Sequence, residues 1–162
     1  MQNAKDTFYV TLRNRLATVN PNRTVVIRAV TRPGILIEEA EARTAELPLD
    51  TFVFRWTKLA VDTELPAVLA QLTCEIHYAT AGTQTNGGLD RGRALEEMDN
   101  ELLQILCPAS TAKMNYTQAP PAQMGTCIFW SQAVFTPTTI TRERLGRVAT
   151  VNVFAFQEQG EK

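Results

Sequence analysis

The sequence is poor in the residues from which disulfide frameworks, metal centres and nucleophilic active sites are built. It has three cysteines, one histidine and two serines among 162 residues. The cysteines are too few and too scattered for a disulfide framework, and their apolar neighbours indicate small buried side chains: Cys74, Cys107 and Cys127. No window approaches the ~18 consecutive apolar residues of a membrane span. The N-terminus lacks the basic-then-apolar layout of a secretory signal, so we expect a chain that stays in the cytosol.

The single histidine has no arrangement of partners that predicts chemistry. Cys74 and His77 have Cys-x-x-His spacing, but they lie on a predicted strand, where residues three apart point to opposite faces. Structural zinc sites also need a second spaced pair, and Cys107 and Cys127 do not form one. Neither serine, Ser110 or Ser131, lies in a G-x-S-x-G turn. The sequence therefore predicts no metal site and no Ser–His or Cys–His active site.

Two clusters of charged residues offer weaker alternatives. Three carboxylates resemble a paired acid site: Glu38, Glu39 and Glu41. Neighbouring side chains diverge on a strand and would face water on a helix, so we expect a hydrated acidic edge instead. Three arginines cluster near the C-terminus and could contact nucleic-acid phosphates: Arg142, Arg144 and Arg147. Glu143 lies among them and the net charge is -1, so we expect only incidental contact. Gly-rich phosphate-binding motifs are absent, and we predict no cofactor.

The charge is unevenly distributed along the chain. Residues 1–32 carry six basic and one acidic group, a net charge of +5. Residues 33–64 and residues 65–105 each carry a net charge of -4, and the remainder carries +2. Opposite signs on opposite flanks would suit head-to-tail contact between identical subunits, whereas intermixing on the folded surface would give no such signal. The sequence leaves both arrangements open.

Two segments have the apolar periodicity of helices that pack on a core. In the first segment, residues 4–18, the apolar stripe consists of Phe8, Leu12, Leu16 and, just after it, Val19. Pro21 then ends the helix, because it disfavours helical geometry at the preceding residue. In residues 90–106 Asp90 is a candidate N-cap, with an earlier start of the helix as the alternative. Five residues form the stripe: Leu95, Met98, Leu102, Ile105 and Leu106. The acidic residues of this second segment are expected to face solvent: Glu96, Glu97, Asp99 and Glu101.

Period-two alternation predicts six strands, over residues 23–30, 35–39, 51–60, 68–80, 126–136 and 147–156. The turn Arg32-Pro33-Gly34 would join the first two into a hairpin, and residues 137–146 would join the last two into a long C-terminal β-hairpin. Residues 40–50 remain open between helix and strand. Residues 81–88 are expected to form a mobile loop, and residues 108–125 an irregular excursion with at most a short strand at 114–117.

The predicted strand 126–136 is apolar on both faces, which is the best local indication of assembly. One face would carry Ile128, Trp130 and Val134, and the other Phe129, Ala133 and Phe135. Trp130, like Trp56, is more often a core residue than a ligand platform. If one face packs on the helices, the other needs a cover from a second sheet or from a neighbouring subunit.

The order of these parts resembles the phage tail terminator family, the proteins similar to lambda minor tail protein U. The resemblance covers most of the chain as a layout and contains no diagnostic short motif. It lies in the helix 4–18, the proline turn before Ile35-Leu36-Ile37, the strand 72–78, the helix 90–106 and a closing strand pair that ends at Phe156. Extra strand-forming sequence in residues 40–67 and the long excursion 108–125 depart from the pattern.

The resemblance implies a structural virion protein with no catalytic residues. Six copies would form a ring that caps the tail tube, stops its polymerisation and joins the tail to the neck or head, with DNA passing through the lumen. Related folds occur in other head–tail connector and neck proteins, which are the first alternative. A small nucleic-acid-binding module, or a small enzyme that uses His77 or the group Glu38–Glu41, are alternatives of other classes.

Together these observations predict one α+β domain over residues 1–162. We expect a mixed, mainly antiparallel sheet with helices 4–18 and 90–106 packed on one face, and a long C-terminal β-hairpin. The loop 81–88 and the turn 137–146 are the expected segments of partner contact, because exposed flexible segments can order on binding.

Overall fold

The structure is a computed structural model, and it describes residues 1–39, 47–64, 67–83, 89–158 and 161. These residues form two α-helices and ten β-strands. In chain order they are α1 (Gln2–Val19), β1 (Thr24–Ile27), β2 (Val30–Pro33), β3 (Ile35–Ile37), β4 (Phe52–Asp62), β5 (Leu69–Thr80), α2 (Leu89–Ile105), β6 (Ser110–Asn115), β7 (Ala122–Trp130), β8 (Val134–Phe135), β9 (Thr139–Ile140) and β10 (Leu145–Phe156). In the described part of the chain, neither helix is long and apolar enough to span a bilayer.

Eight strands form one sheet, with β5 and β10 at its centre. The order is β3-β4-β5-β10-β7-β6, and β8 and β9 also pair with β10. Only the β3–β4 pair is parallel; β10 runs antiparallel to β5, β7, β8 and β9, and β4 to β5. Strands β1 and β2 form a separate two-stranded hairpin. The predicted class, α+β with two helices and a mixed, mainly antiparallel sheet, is confirmed.

Both helices bury the apolar stripes that their sequences predict. Phe8, Leu12 and Leu16 of α1 are fully buried, whereas Val19 is 36% exposed at the end of the helix. All five predicted residues of the second stripe are buried. The side chains of both helices join one hydrophobic cluster with one face of the sheet, which we call the inner face. Burial of these stripes supplies the apolar contact that fixes the helices to the sheet.

The central strands alternate strictly between the inner face and the opposite face. On β5 the buried inner residues are Ala70, Leu72, Cys74, Ile76 and Tyr78, and on β10 they are Ala149, Val151, Val153 and Ala155. On β4, Phe52 and Phe54 are fully buried against the same cluster. The alternation follows from the period of two in a strand, so a helix-covered face needs an apolar residue at every second position.

The N-terminal hairpin turns at a different place from the one predicted. The chain reverses at Arg28 and Ala29, which have φ angles of 50° and 64°, so β1 ends at Ile27 and β2 begins at Val30. The predicted hairpin between residues 23–30 and 35–39 is therefore wrong, and β3 instead pairs in parallel with β4. The error arose because Pro-Gly is a strong turn signal, whereas Arg-Ala has neither the Gly nor the Asn that normally marks a two-residue turn.

The predicted excursion 108–125 is also wrong, because it contains most of a β-hairpin. Strand β6 pairs with β7 in antiparallel register from Ser110↔Phe129 to Asn115↔Ala122. The connection carries Pro120 and Pro121, with a cis Ala119-Pro120 peptide bond, and Pro108 precedes β6. The prolines that suggested irregular structure thus lie outside the strands, where no ladder hydrogen bond is needed.

The predicted strand 126–136 is interrupted. β7 ends at Trp130, and β8 begins at Val134. The backbone N–H of Ser131 donates to the carbonyl of Asn152 at 2.9 Å, and the Ser131 hydroxyl accepts the N–H of Asn152 at 3.1 Å. The side of β10 that faces away from β5 is thus paired in succession with β9, β8 and β7.

The structure favours the earlier start of α2 and corrects the prediction that Glu101 faces solvent. The helix already includes Leu89, so Asp90 lies in its first turn rather than at the N-cap, and its carboxylate accepts from Thr83 at 2.5 Å from the amide and 2.7 Å from the hydroxyl. Glu101 is 5% exposed and does not face solvent. Residues 40–46 and 84–88, on which other predictions fall, lie outside the described residues.

Candidate interaction surface

The sheet face opposite the helices is the candidate functional surface, and we call it the outer face. The register places its side chains in cross-strand rows: Gln71, Phe154 and Phe129; Thr73 and Asn152; Arg55, Glu75, Thr150 and Val134; and Val53, His77 and Val148. Most of these residues are only partly buried, in contrast with their fully buried neighbours on the inner face. Neither helix contributes its apolar stripe to this face.

The apolar part of the outer face lies over β7, β8 and β10. The rings of Phe129 and Phe154 stack with centroids 5.1 Å apart and planes inclined at 14°. Phe129 is nevertheless 38% exposed, and Val134 is 70% exposed. The stacked aromatic pair is a surface from which a partner could remove water at a gain in free energy. Val134 is a separate exposed side chain on the far side of the polar row of Thr73 and Asn152.

The interruption after Trp130 determines which residues reach this face. Val134 pairs with Thr150 on the outer face, whereas Phe135 pairs with the buried Ala149 and packs on the core. The sequence predicted Val134 on the face of Ile128 and Trp130, and this is wrong. The irregular residues between the strands shift the alternation by one position, which exchanges the two faces.

The polar part of the outer face consists of paired groups. His77 Nε2 lies 2.9 Å from Glu75 Oε2. Arg55 donates from Nε and Nη2 to the two carboxylate oxygens of Glu38, at 2.6 and 2.5 Å. These hydrogen bonds from Arg55 lower the pKa of Glu38 below its ordinary value of 4.5, although partial burial opposes the shift. Thr73 donates to the side-chain oxygen of Asn152 at 3.0 Å.

The β1–β2 hairpin covers only one end of the outer face. Val25 and Ile27 pack with Leu47 on the buried pair Leu36 and Val53, which belong to β3 and β4. This contact leaves the apolar region over β7 and β10 uncovered by any residue that the structure describes, as the exposure of Val134 indicates.

The structure separates Cys74 from His77, as the strand geometry predicts. Cys74 is fully buried on the inner face, and this burial raises the pKa of its thiol strongly. His77 lies on the outer face. The other cysteines, Cys107 and Cys127, are exposed, which corrects the expectation that all three are buried. Within the described residues, no three His, Cys, Asp or Glu side chains are grouped so as to hold a metal ion.

His77 lines a recess of about 360 Å³ with Arg144, Arg147 and Thr141 among the other lining residues. The histidine is hydrogen-bonded to Glu75, and the Thr141 hydroxyl donates a hydrogen bond to the Arg144 carbonyl at 3.2 Å. Neither serine lines this recess. The recess therefore offers hydrogen-bond donors and positive charge beside His77.

The described residues of the other predicted charged clusters make separate contacts, although Arg144 and Arg147 line the same recess. Glu38 is paired with Arg55, Glu39 is exposed, and Glu41 lies outside the described residues. Arg147 contacts Asp99 of α2 and donates to the Thr138 hydroxyl at 2.7 Å. The carbonyl of Arg142 accepts from Arg91 at 3.1 Å, and Arg144 donates to the Leu47 carbonyl at 3.5 Å. The three C-terminal arginines thus serve different contacts.

Both tryptophans belong to the core, as predicted. Trp130 is 4% exposed and donates to the Leu106 carbonyl at 3.2 Å. Trp56 is partly buried, and its ring lies 5.9 Å from that of Phe8. Lys5 and Arg15 lie over the rings of Trp56 and Trp130 at 5.5 and 5.2 Å. Neither indole is presented as a ligand platform.

Sequence reasoning missed a buried cation at the far edge of the sheet. Lys113 is fully buried and donates to the Phe156 carbonyl at 2.6 Å and to Glu161 at 2.7 Å. Glu158 lies 3.6 Å from the same ammonium, and its pKa is lowered chiefly by the hydrogen bond from Thr126. Nothing in the sequence pattern indicated that Lys113 is buried, because a lysine can lie on an exposed or on a covered face of a strand. Its contacts tie the C-terminal residues to β6.

The Glu38–Arg55 pair predicts a specific pH response. Because the folded-state pKa of Glu38 lies below 4.5, the pair contributes stability above that pH, and the contribution is lost as the pH falls through the folded-state value. In Arg55→Gln we expect the pKa of Glu38 to return to its ordinary range. Carboxyl chemical shifts measured by NMR during a pH titration check this, with Glu39 as the internal reference. An unchanged Glu38 titration in the variant would contradict the assigned cause.

Comparison with models of known protein families finds no match, and a search of curated proteins finds no significant match either.

Proposed function

We propose that this chain is a structural subunit that assembles with copies of itself through the outer face of its sheet. The observation that carries the proposal is the exposure of Phe129 and Val134, with the partly buried Phe154, on the sheet face that the helices do not cover. The stacked rings of Phe129 and Phe154 form the kind of exposed apolar surface that is typical of interaction sites. Two layers suffice for the core, so a third layer supplied by a neighbour adds burial without changing the fold.

The particular assembly that we propose is a tail-terminator-like ring of six copies in a phage or phage-derived particle. The ring caps the tail tube, blocks further addition of tube subunits and presents its other surface to a neck or connector protein, with DNA passing through the lumen. The layout of helices and strands that resembles the tail terminator family supports this choice. The protein would then reside in the virion, at the junction of tail and neck, after assembly in the host bacterial cytoplasm.

The C-terminal region supports the proposal in its finer detail. We treat residues 126–156 as one C-terminal β-hairpin whose first strand is interrupted, because β7, β8 and β9 all pair with β10. Through this arrangement Val134 joins Phe129 and Phe154 on one face. The hairpin would therefore present the apolar region to the neighbouring subunit.

The same observations favour a structural role over a catalytic one. The nucleophile and acid–base candidates of the sequence do not meet: Cys74 is buried on the inner face, and His77 is paired with Glu75 on the outer face. The ion pairs of the outer face leave its apolar region free to contact a partner. A neck or connector protein of the same particle would use the same surface, and only a tube-capping assay separates the two roles.

The experiment is a measurement of mass in solution for the wild type and for Phe129→Glu, with and without purified tail tubes. We expect the wild type to form a ring, alone or on the tube, and to limit tube length. Phe129→Glu should be monomeric and inactive, because a charge at this position would be desolvated in the contact. Leu103→Glu is the matched control, since Leu103 is 52% exposed on α2 and lies away from the sheet.

Two results would count against the proposal. A wild-type chain that stays monomeric and neither binds nor caps tubes would refute it. Equal loss of assembly in the Phe129 and Leu103 variants would remove the outer face as its basis. Thermal unfolding of both variants confirms that they fold before assembly is compared.

A further inference from the structure

We infer that the tip of the β1–β2 hairpin of one copy docks on the outer face of the next copy. The inference rests on the proposed function and deepens it, since it assigns the partner of the uncovered apolar region. It joins three observations: a projecting apolar hairpin, a strained turn that carries an arginine, and opposite charge on the two surfaces.

The hairpin is held to its own molecule by only part of its surface. Its two strands form a separate sheet, and Val25 and Ile27 anchor it on Leu36 and Val53. Toward the turn the hairpin is exposed: Val26 is 63% exposed and Val30 is 61% exposed. The register pairs Val26 with Thr31 and Val30 with Ile27, so the two valines lie on opposite faces of the hairpin. Each offers apolar surface that the parent molecule does not use.

The turn is built from residues that do not suit its geometry. Arg28 and Ala29 both have positive φ, where a side chain with a Cβ costs roughly 1–2 kcal/mol per residue relative to the right-handed region. Asn-Gly or Gly-Gly would form the same turn without that cost. Backbone outliers that persist in spite of such a cost are enriched at functional positions. Arg28 is exposed at the end of the hairpin, where a partner can reach it.

The charges of the two surfaces are complementary. Strands β1 and β2 with their turn carry Arg28 and Arg32 and no acidic residue. The outer face and its margin carry three carboxylates against two basic side chains, which are Glu38, Asp62 and Glu75 against Arg55 and Lys58. Glu75 lies one strand from Thr150, which is directly opposite Val134. A basic apolar tip therefore matches a face on which an acidic group adjoins exposed apolar side chains.

The contact must be made between copies. Within one molecule the hairpin packs over β3 and β4, and β7 lies three strands away from β4, about 14 Å at ~4.8 Å per strand. The exposure of Phe129 and Val134 shows that the molecule's own hairpin does not cover them. Because the tip and the face are different patches of the same chain, their contact is head-to-tail, and head-to-tail contacts close into rings when the rotation permits.

The test uses two charge reversals in the full chain, Arg28→Glu and Glu75→Lys, examined singly and mixed. Each variant alone places like charges on the tip and on the face, and we expect assembly to weaken by at least about tenfold. In an equimolar mixture, each acidic tip meets a basic face and each basic tip meets an acidic face. The mixture should therefore recover an assembly of wild-type mass with the two variants in equal amounts. Native mass spectrometry reads both the mass and the composition.

Arg93→Glu, an exposed arginine of α2, is the control and should assemble as the wild type does. Full assembly of Arg28→Glu alone, or failure of the mixture to recover, overturns the docking of the hairpin on this face. If Phe129→Glu still abolishes the ring in that case, the proposed function stands without the inference. A wild-type chain that never assembles, with or without tubes, overturns both.

Discussion

Glu101→Ala is expected to lower the free energy of unfolding by about 3–5 kcal/mol, because it leaves a buried guanidinium without its counter-ion. The side chains of Arg23 and Glu101 are only 10% and 6% exposed, and they form a salt bridge through Arg23 Nε. A second hydrogen bond joins Arg23 Nη2 to Glu101 Oε1 at 3.0 Å. Asn20 donates to the same carboxylate at 2.6 Å, so the substitution also removes the acceptor of a second residue.

This carboxylate holds three parts of the chain together. It lies on α2, whereas Asn20 follows α1 and Arg23 leads into the β1–β2 hairpin. Arg23 also donates to the Asp50 carbonyl at 3.1 Å, and its guanidinium lies 5.8 Å from the centre of the Phe52 ring. Loss of Glu101 should therefore loosen the base of the hairpin as well as destabilise the fold. In the proposed ring this would weaken assembly indirectly.

Chemical denaturation of Glu101→Ala and Glu97→Ala measures the effect. Glu97 lies one turn earlier on α2 and is exposed, so its replacement should change the free energy of unfolding by no more than about 0.5 kcal/mol. Both variants exchange the same side chain for alanine in the same helix, and the difference between them isolates burial and pairing. Equal small effects would mean that Glu101 faces solvent, as its sequence context suggests.

Phe8→Ala is expected to destabilise the protein by about 3–5 kcal/mol, through loss of apolar burial and the cavity that remains. Phe8 is fully buried on α1, and its ring lies among three aromatic side chains from two strands. The centroid distances are 5.8 Å to Phe54, 5.9 Å to Trp56 and 5.4 Å to Trp130. These rings come from β4 and β7, which lie on opposite sides of the sheet centre, so the cavity cannot close by movement of one strand.

Phe129→Ala is the matched control, since it makes the same chemical change on the outer face. Phe129 is 38% exposed and makes one stacked contact, so the monomer should lose only about 0.5–1.5 kcal/mol. Phe129→Ala should impair formation of the ring while the monomer stays folded. Phe8→Ala should instead lower the free energy of unfolding of the monomer. Denaturation of each, at concentrations where the wild type is monomeric, decides between these expectations.

The proposed assembly requires different properties of the two faces of the sheet. The inner face is stabilised by burial of its alternating apolar residues against both helices. The outer face balances ion pairs such as Glu38–Arg55 against the exposed region around Phe129 and Val134. Because the fold does not need a partner on its outer face, the chain can exist as a monomer before the proposed ring forms. A subunit that must first reach the end of a tube would require this.

Several elements were predictable because their information is local. The stripes of α1 and α2 and the alternation on β5 and β10 follow from the periods of 3.6 and 2, which determine which side chains share a face. The fold class follows from the same patterns. The separation of Cys74 from His77 could also be derived, since a spacing of three on a strand places two residues on opposite faces.

The sequence by itself therefore determined which residues are apolar on one side of each element, and hence the two-layer α+β class. Only the tertiary structure decided the pairing of elements: Arg23 and Glu101 are 78 residues apart, and β3 joins β4 rather than the preceding strand. It also decided that three irregular residues move Val134 onto the outer face, which also carries Phe129. The physical reason is that periodicity records the side on which a residue lies, whereas its partner is set by contacts between distant segments.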